Sequence, residues 1–341
     1  MAWTTRRFSS ELINTSGKVL ISDSATHEEL VHALEIINNW RAAHAFPLNT
    51  FQNGLRKKAL SVDTNSLIAQ RIKRLASIDI KLRRFPAMKL SQMQDLGGCR
   101  AIVHTVEQVK KIANLYKRSS IKHKLVHFDD YISQPKPSGY RGVHLIYRYF
   151  SDKNPKYNGQ KIEIQIRSLR QHAWATAVEI VGTIIKQGLK SNQGEQEWLR
   201  FFSLMGSAIA GLEKCPQVPG TPENIAVLKK EIKTLTRTLD VRHRLMTYGQ
   251  ALKKIEENET NAHYYLLVLN PSIEEITIKG FKKSELEVAT QTYLEAEERI
   301  LSAAGAEAVL VSVDSVAALQ RAYPNYFLDT KFFVELIDSI V

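Results

Sequence analysis

Two cysteines in 341 residues, Cys99 and Cys215, are too few and too far apart for a disulfide framework, and neither forms a C-x-x-C pair that could hold zinc. Both read as packed thiols. Long apolar runs are missing as well: no stretch approaches the roughly eighteen residues of a membrane span. Residues 1–10 carry Arg6 and Arg7 with no apolar segment behind them, which gives no support to a secretory leader. A cytoplasmic protein without a membrane segment is expected. Internal repeats and low-complexity tracts are absent, and a chain that is 44% hydrophobic and 24% charged has the composition of ordinary folded proteins, long enough for two domains with real cores.

Acidic residues are scarce in one part of the chain only. Residues 1–190 hold 31 Lys and Arg against 14 Asp and Glu, a net of +17, whereas residues 191–341 hold 16 against 21, a net of −5. A basic half fits a polyanionic partner such as nucleotide phosphates or RNA, and an acidic, aromatic-bearing half could dock against it; solubility alone is the plainer reading of the same numbers.

The sharpest pattern is K-I-E-I-Q-I-R from Lys161 to Arg167. Ile162, Ile164 and Ile166 alternate with Glu163, Gln165 and Arg167, the period of a strand with one buried face. A carboxylate, an amide and a guanidinium in one row suit a metal-bound phosphate or a nucleotide hydroxyl, although a solvated edge strand would look the same in isolation.

Along the chain, residues 24–44 read as a helix capped by Ser24 or Thr26, a second helix spans about 51–59, and a third spans about 66–85. The third places Lys73, Ser77 and Lys81 on one face at i, i+4 and i+8, a candidate triphosphate rail, with Arg71 nearby off that face. Asp95, before two glycines, falls at the mouth of a strand starting near Arg100. Residues 105–118 read as a helix, 127–140 as an irregular loop able to present Tyr140 as a stacking platform, 143–150 as a strand, and 169–186 as an apolar helix. Gly188, Ser191, Asn192 and Gly194 mark a break before a helix over 195–212. Thr221 and Pro222 then open one long helix to about 257, followed by a small unit: strands 264–269 and 275–279, a helix over 284–304 with Ser284 and Glu287 as its capping box, a strand over 308–313, and a terminal segment from Ser315.

Two carboxylates at strand edges, a basic rail, an aromatic loop, and Gln and Arg beside one carboxylate form the set that phosphoryl or pyrophosphoryl transfer needs: oxygen ligands for Mg²⁺, cations to spread phosphate charge, and a surface to position the acceptor.

Four ordered blocks carry a resemblance. Arg71-x-Lys73-x-x-x-Ser77-x-x-x-Lys81, Asp95-Leu96-Gly97-Gly98-Cys99-Arg100, Asp130-Tyr131-Ile132 through Lys136, Tyr140 and His144, and Glu163-Ile164-Gln165-Ile166-Arg167 followed by His172 resemble the synthetase domain of the RelA/SpoT family over about residues 25–190. That resemblance implies a mixed-sheet, nucleotidyltransferase-like α+β fold flanked by helices, and transfer of the β,γ-pyrophosphate of ATP to a ribose 3′-hydroxyl with Mg²⁺. By the same resemblance Arg71 and Arg100 sandwich adenine, and Lys73, Ser77 and Lys81 hold the triphosphate. Asp95 and Glu163 bind Mg²⁺, with Glu163 as base; Tyr140 stacks on the acceptor base, and Lys136, His144, Gln165 and Arg167 order the acceptor side. None of the ten histidines precedes an aspartate, so the His-Asp hydrolase half of bifunctional members has no support. Ser138 and Gly142 stand where asparagine and serine are frequent, which bears on the acceptor.

The second half resembles the C-terminal pseudo-zinc-finger of CapRel-type fused toxin–antitoxin proteins, in which a Tyr-x-x-Tyr element covers the adenine site until a phage capsid protein binds. Tyr323-Pro324-Asn325-Tyr326 fits that element. The expected organisation is a synthetase over 1–190, a helical linker over 191–260 and a C-terminal sensor over 261–341. The expected activity is pyrophosphorylation of the tRNA 3′-CCA end, blocking translation. Alarmone synthesis from GDP, GTP or adenine nucleotides is the alternative, and an RNA-binding module with a decayed site is another.

Overall fold

The computed structural model describes residues 3–188, 193–250, 253–257, 262–270, 275–300, 306–313, 316–327 and 329–341. In chain order the elements are α1 (Ser10–Leu20), α2 (His27–Ala43), α3 (Ala45–Leu60), β1 (Leu67–Ile72), α4 (Leu75–Arg84), β2 (Gly97–Val103), α5 (Val106–Lys117), β3 (Lys124–Asp130), β4 (Val143–Arg148), β5 (Lys161–Ser168), α6 (Leu169–Gly188) and α7 (Gln193–Leu212). There follow α8 (Ile225–Thr238), α9 (Val241–Gln250), β6 (Lys253–Glu257), β7 (Tyr264–Asn270), β8 (Glu275–Phe281), α10 (Leu286–Arg299), β9 (Glu307–Ser312), α11 (Val316–Ala322) and α12 (Lys331–Ile340). The terminal segment expected from Ser315, and Ser191 and Asn192 of the expected break, begin or lie outside the described residues.

Among the described residues nine strands form one mixed sheet in the order β3-β4-β5-β2-β1-β9-β7-β8-β6. β2 runs parallel to β5 and β6 parallel to β8; the other pairs are antiparallel. The expected α+β architecture with a mixed sheet is therefore present. The strands of the small C-terminal unit continue the sheet through β9, which pairs with β1 at Gln70↔Ser312 and Arg71↔Val311.

The alternation of β5 sets the layers. Ile162, Ile164 and Ile166 are fully buried together with Cys99, Ala101, Val103 and Leu145, packed under α3 and α5. Three side chains of this size contribute roughly 1.5–3 kcal/mol each by leaving water. The Cys99 thiol is thereby pushed upward by burial, as a packed thiol should be. A second apolar layer joins α1, α2 and α4 through Ile13, Ile36, Ile37, Ile78 and Leu82. A third gathers α6 to α9 and α12 around Phe201, Phe202, Leu228, Ile232 and Phe333.

Five expectations about elements need correction. Residues 66–85 are a strand and a shorter helix, because residues 67–72 gain ladder partners on β2 and on β9, and tertiary pairing outweighs local helix pattern. Residues 124–130 form an edge strand, β3, whose exposed positions hide the period of two; its register shifts between Leu125 and His127. The long helix divides at Asp240, whose φ is 48°, and ends in β6 rather than continuing to 257. Its cap is Asn224, which accepts from the Ala226 and Val227 amides, since the Thr221 hydroxyl is occupied by the Val218 carbonyl at 2.7 Å. At α10 the Ser284–Glu287 box is absent: a 3₁₀ turn precedes the helix, and Glu285 accepts instead from the Lys282 amide. The helix at 27–43 matches its expected start, with Thr26 and Glu29 completing a reciprocal capping box.

Candidate active site

Sheet register brings the expected residues to one face. Arg71 on β1 lies opposite Gly98 on β2, Gly98 opposite Glu163 on β5, Arg100 opposite Gln165, and Gln165 opposite His144 on β4. Partners across a ladder share a face, so Arg71, Arg100, His144, Glu163, Gln165 and Arg167 stand over the sheet together. They line a polar cavity of about 310 Å³ with Lys73, Asp95, Tyr140, Glu179 and Tyr323. Gly98 supplies the floor: a methyl there would meet the Glu163 carboxylate.

Glu163 receives hydrogen bonds on both oxygens. Gln165 Nε2 donates to Oε2 at 2.7 Å, and His144 Nδ1 lies 2.9 Å from Oε1. The other His144 nitrogen meets the Tyr140 hydroxyl, which in turn accepts from Arg167 Nη2 at 2.8 Å; the same Nη2 donates to Gln165 Oε1 at 3.0 Å. With His144 assigned as the Nδ1–H tautomer, two chains of donors run from the Arg167 guanidinium to the Glu163 carboxylate, one through Tyr140 and His144 and one through Gln165. Burial alone would raise the Glu163 carboxyl, but the hydrogen bonds from His144 and the Gln165 amide more than offset this and hold it below the usual carboxylate range. The group is a buried carboxylate kept ionised.

Asp95 is held from the opposite side. Lys73 Nζ and Lys81 Nζ each lie 2.9 Å from one of its oxygens. Burial again opposes ionisation, and the two ammoniums outweigh it, so the Asp95 carboxyl also titrates low. The rail thus spans the end of β1 and the helix α4, with Lys73 just before the helix and Ser77 and Lys81 within it. Ser77 is half-buried, and the cavity lining does not include it.

Tyr140 is arranged differently from an open platform. Its hydroxyl is tied to His144 and Arg167, and its ring makes edge contacts with Tyr131 and Trp174. Lys136, exposed on the loop before it, places its ammonium 4.1 Å from the Tyr131 ring centroid. The loop itself is held by α7: Ser203 donates to the Pro137 carbonyl at 3.0 Å, and Gly139, with φ 96°, packs against Gly206.

Arg100 is occupied from the C-terminal side. Its Nη2 donates to the Ala322 carbonyl at 3.2 Å, and its guanidinium lies 5.3 Å from the centroid of the Tyr323 ring. Burial and the neighbouring Arg167 charge push the Arg100 guanidinium down to about 10. Tyr326 accepts from Arg74 at 3.1 Å, Glu307 pairs with Arg74, and the Arg321 carbonyl lies 3.3 Å from His172 Nε2. Sequence reasoning had passed over Glu179, Arg74 and Trp174. Glu179 carried a signal, a single carboxylate within the otherwise apolar run of α6.

Among the described residues no cluster of three or more His, Cys, Asp and Glu could hold a metal. Asp95 and Glu163 suit Mg²⁺ nonetheless, because that ion takes one or two carboxylates and completes its shell with water and phosphate oxygens. Arg100 and Arg167 line the same cavity, and each carries a buried N–H group without a partner. Among the described residues no helix is long and apolar enough to cross a membrane.

Comparison with known proteins falls on this part of the chain. Residues 70–181 match the family model for the region found in RelA / SpoT proteins. This segment is similar to the region shared by RelA and SpoT proteins. It contains every donor- and acceptor-side residue named above up to Glu179. The chain is 35% identical over 115 residues to the GTP pyrophosphokinase YjbM of Bacillus subtilis, covering 32% of this chain and 52% of that protein. It is 32% identical over 84 residues to the GTP pyrophosphokinase YwaC of the same organism, covering 25% and 40%. The chain therefore spans about half or less of these curated relatives. Small alarmone synthetase 1 from Bacillus subtilis, solved with its product pppGpp, aligns at 24% identity with a TM-score of 0.40 over 51% of this chain and 94% of that one.

Proposed function

We propose that this chain is a pyrophosphotransferase that moves the β,γ-pyrophosphate of ATP to a ribose 3′-hydroxyl. The observation that carries the reading is the convergence of two hydrogen-bond chains on an ionised Glu163, in the cavity that also holds Asp95 between Lys73 and Lys81. Glu163 takes the proton of the attacking hydroxyl, with His144, Gln165 and Arg167 fixing its orientation. Arg71 and Arg100 flank the donor base, while Lys73, Ser77 and Lys81 neutralise phosphate charge. Mg²⁺ on Asp95 and Glu163 would add further neutralisation of the transferred group. Tyr140 orders the acceptor, with Lys136 at the loop edge.

The acceptor we propose is the 3′ end of tRNA. Lys57, Lys110, Lys111, Lys117, Arg118, Lys122 and Lys124 are exposed on α3, α5 and the start of β3, and Glu107 is the one acidic residue between 101 and 128. Such a surface exceeds the needs of a mononucleotide and suits a phosphate backbone. GDP or GTP is the second reading, favoured by the names of the relatives. We also propose that the chain rests in a self-inhibited form. Tyr323 and Tyr326 cover Arg100 and Arg74 from the C-terminal side, and a phage capsid-type protein would be the trigger that lifts them.

The test supplies γ-labelled ATP, with and without candidate trigger, to deacylated tRNA, GDP and GTP. Label in tRNA is expected; label only in GDP or GTP would move the acceptor to alarmone synthesis. Glu163→Gln should lower transfer by about 10²–10⁴-fold with unchanged circular dichroism, the range for loss of a positioned base.

A further inference from the structure

A second polar cavity, of about 240 Å³, lies where the start of β5 meets the end of α2, and it shares no lining residue with the catalytic cavity. Three cations reach it: Arg6, Lys156 and Lys161. No Asp or Glu lines it. Convergence of like charges without a counter-charge is unfavourable, and an anion placed among them removes that cost.

Two buried polar groups in the same wall have no partner. They are the Trp40 indole N–H and the Gln160 side-chain oxygen, in residues 6% and 5% exposed. A buried polar group left without a partner is unfavourable, so such groups mark a missing ligand or water. Rotating the Gln160 amide presents its NH₂ without changing shape, which turns this wall into donors throughout. Arg6 is already fixed: its Nε donates to the Phe8 carbonyl at 2.7 Å, its Nη2 donates to Ser10 at 2.8 Å, and its guanidinium lies 5.1 Å from the Trp40 ring centroid. Burial, and then the nearby Arg148, hold the Lys161 ammonium below its ordinary value, so an anion there would gain a partly desolvated partner.

We propose that this cavity binds a small phosphate-bearing anion. Cations and N–H donors approach from several directions, which matches an ion with oxygens on every side better than the flat edge of a carboxylate. The phosphate could be free, as inorganic phosphate or pyrophosphate, or the terminal group of a nucleotide.

Calorimetric titration of the full chain with pyrophosphate, inorganic phosphate and magnesium-free GTP separates these. Saturable binding of pyrophosphate is expected, weakened about tenfold or more in Lys161→Ala and in Arg6→Ala. GTP binding that is tighter than pyrophosphate and equally sensitive to Lys161→Ala identifies the nucleotide source, and insensitive GTP binding identifies the free anion. Loss in Lys81→Ala with retention in Lys161→Ala would place the anion in the catalytic cavity and overturn the proposal. So would the absence of any saturable heat with millimolar pyrophosphate. Lys161→Gln, checked by thermal melting, supplies a folded variant if the alanine form is unstable.

Discussion

The Tyr323 hydroxyl donates to the main-chain carbonyl of Gln70 at 3.0 Å, joining the C-terminal segment to the strand that bears Arg71. Tyr323 is 1% exposed, so its ring is core as well as cover. Replacing it with alanine is expected to cost about 3–5 kcal/mol, the range for a buried aromatic. The same change clears the space beside Arg100. A non-hydrolysable ATP analogue should bind Tyr323→Ala about tenfold or more tightly than the parent chain. Equal affinities would show that the ring does not obstruct the cavity. Tyr323→Phe keeps the ring and loses about 1 kcal/mol of hydrogen bonding, so it should bind as weakly as the parent.

A second tie lies on the other face of the sheet. Arg41 on α2 is 2% exposed, and its Nη1 meets Glu297 of α10 at 2.7 Å, its Nη2 donates to Tyr293 at 2.7 Å, and its Nε donates to the Lys73 carbonyl at 3.0 Å. Glu297 also accepts from the Leu75 amide at the start of α4. Removing one partner strands a buried charge, so Arg41→Ala or Glu297→Ala should each cost about 3–5 kcal/mol in urea unfolding. The double variant should cost less than the two losses added, since the second deletion removes the stranded charge.

Acid should weaken the fold through its buried histidines. The His44 imidazole is pushed down to about 4 by burial, with the Trp40 carbonyl opposing and Arg6 assisting that shift. Unfolded histidine titrates near 6.5, so between about 6.5 and about 4 the unfolded chain takes a proton that the native site refuses. Stability is complete above that window and falls by about 3 kcal/mol on crossing it downward. Buried His172, lowered well below its ordinary value by burial and the charges of Arg100 and Arg167, adds in the same direction. Glu163 and Asp95 act further down. Their lowered values mean that they stabilise above the ordinary carboxylate range and lose that effect only as pH falls through their native values. Urea midpoints at pH 7 and pH 4.5 test this, and His44→Gln should shrink the difference.

The Lys136–Tyr140 loop, proposed above to order the acceptor, depends on a glycine outside the matched region. A methyl on Gly206 would stand 2.7 Å from the Gly139 Cα, a backbone contact that cannot be relieved by a side-chain rotation. Gly206→Ala is therefore expected to shift the Lys136–Tyr140 loop. In the transfer assay KM for the acceptor should rise about tenfold while KM for ATP stays within about twofold. A matched rise in both would point to general loosening of α7.

The row Glu163, Gln165, Arg167 was readable because its opposite face is fully buried isoleucine, and strict alternation follows from that division. The mixed α+β class followed from the resemblance of the four motif blocks, not from this alternation. The helix carrying Ser77 and Lys81 was read, but the strand before it was not: β1 is held between β2 and β9, and its β9 partners Val311 and Ser312 lie about 240 residues away, beyond any local window. β3 escaped because an exposed edge strand has no apolar face to show. Tyr-x-x-Tyr was visible as letters, but neither the Gln70 carbonyl nor Arg74 could be named as its partners from spacing.

The ladder between β1 and β9 is only two residue pairs wide, whereas every other junction in the sheet has five or more. It is the natural seam of the molecule. Parting there would turn β1 from an interior strand into a bare edge, with unpaired N–H and C=O groups beside the polar cavity. A molecule opened in this way is a template for strand addition, so an opened population is expected to self-associate at high concentration unless another chain covers that edge.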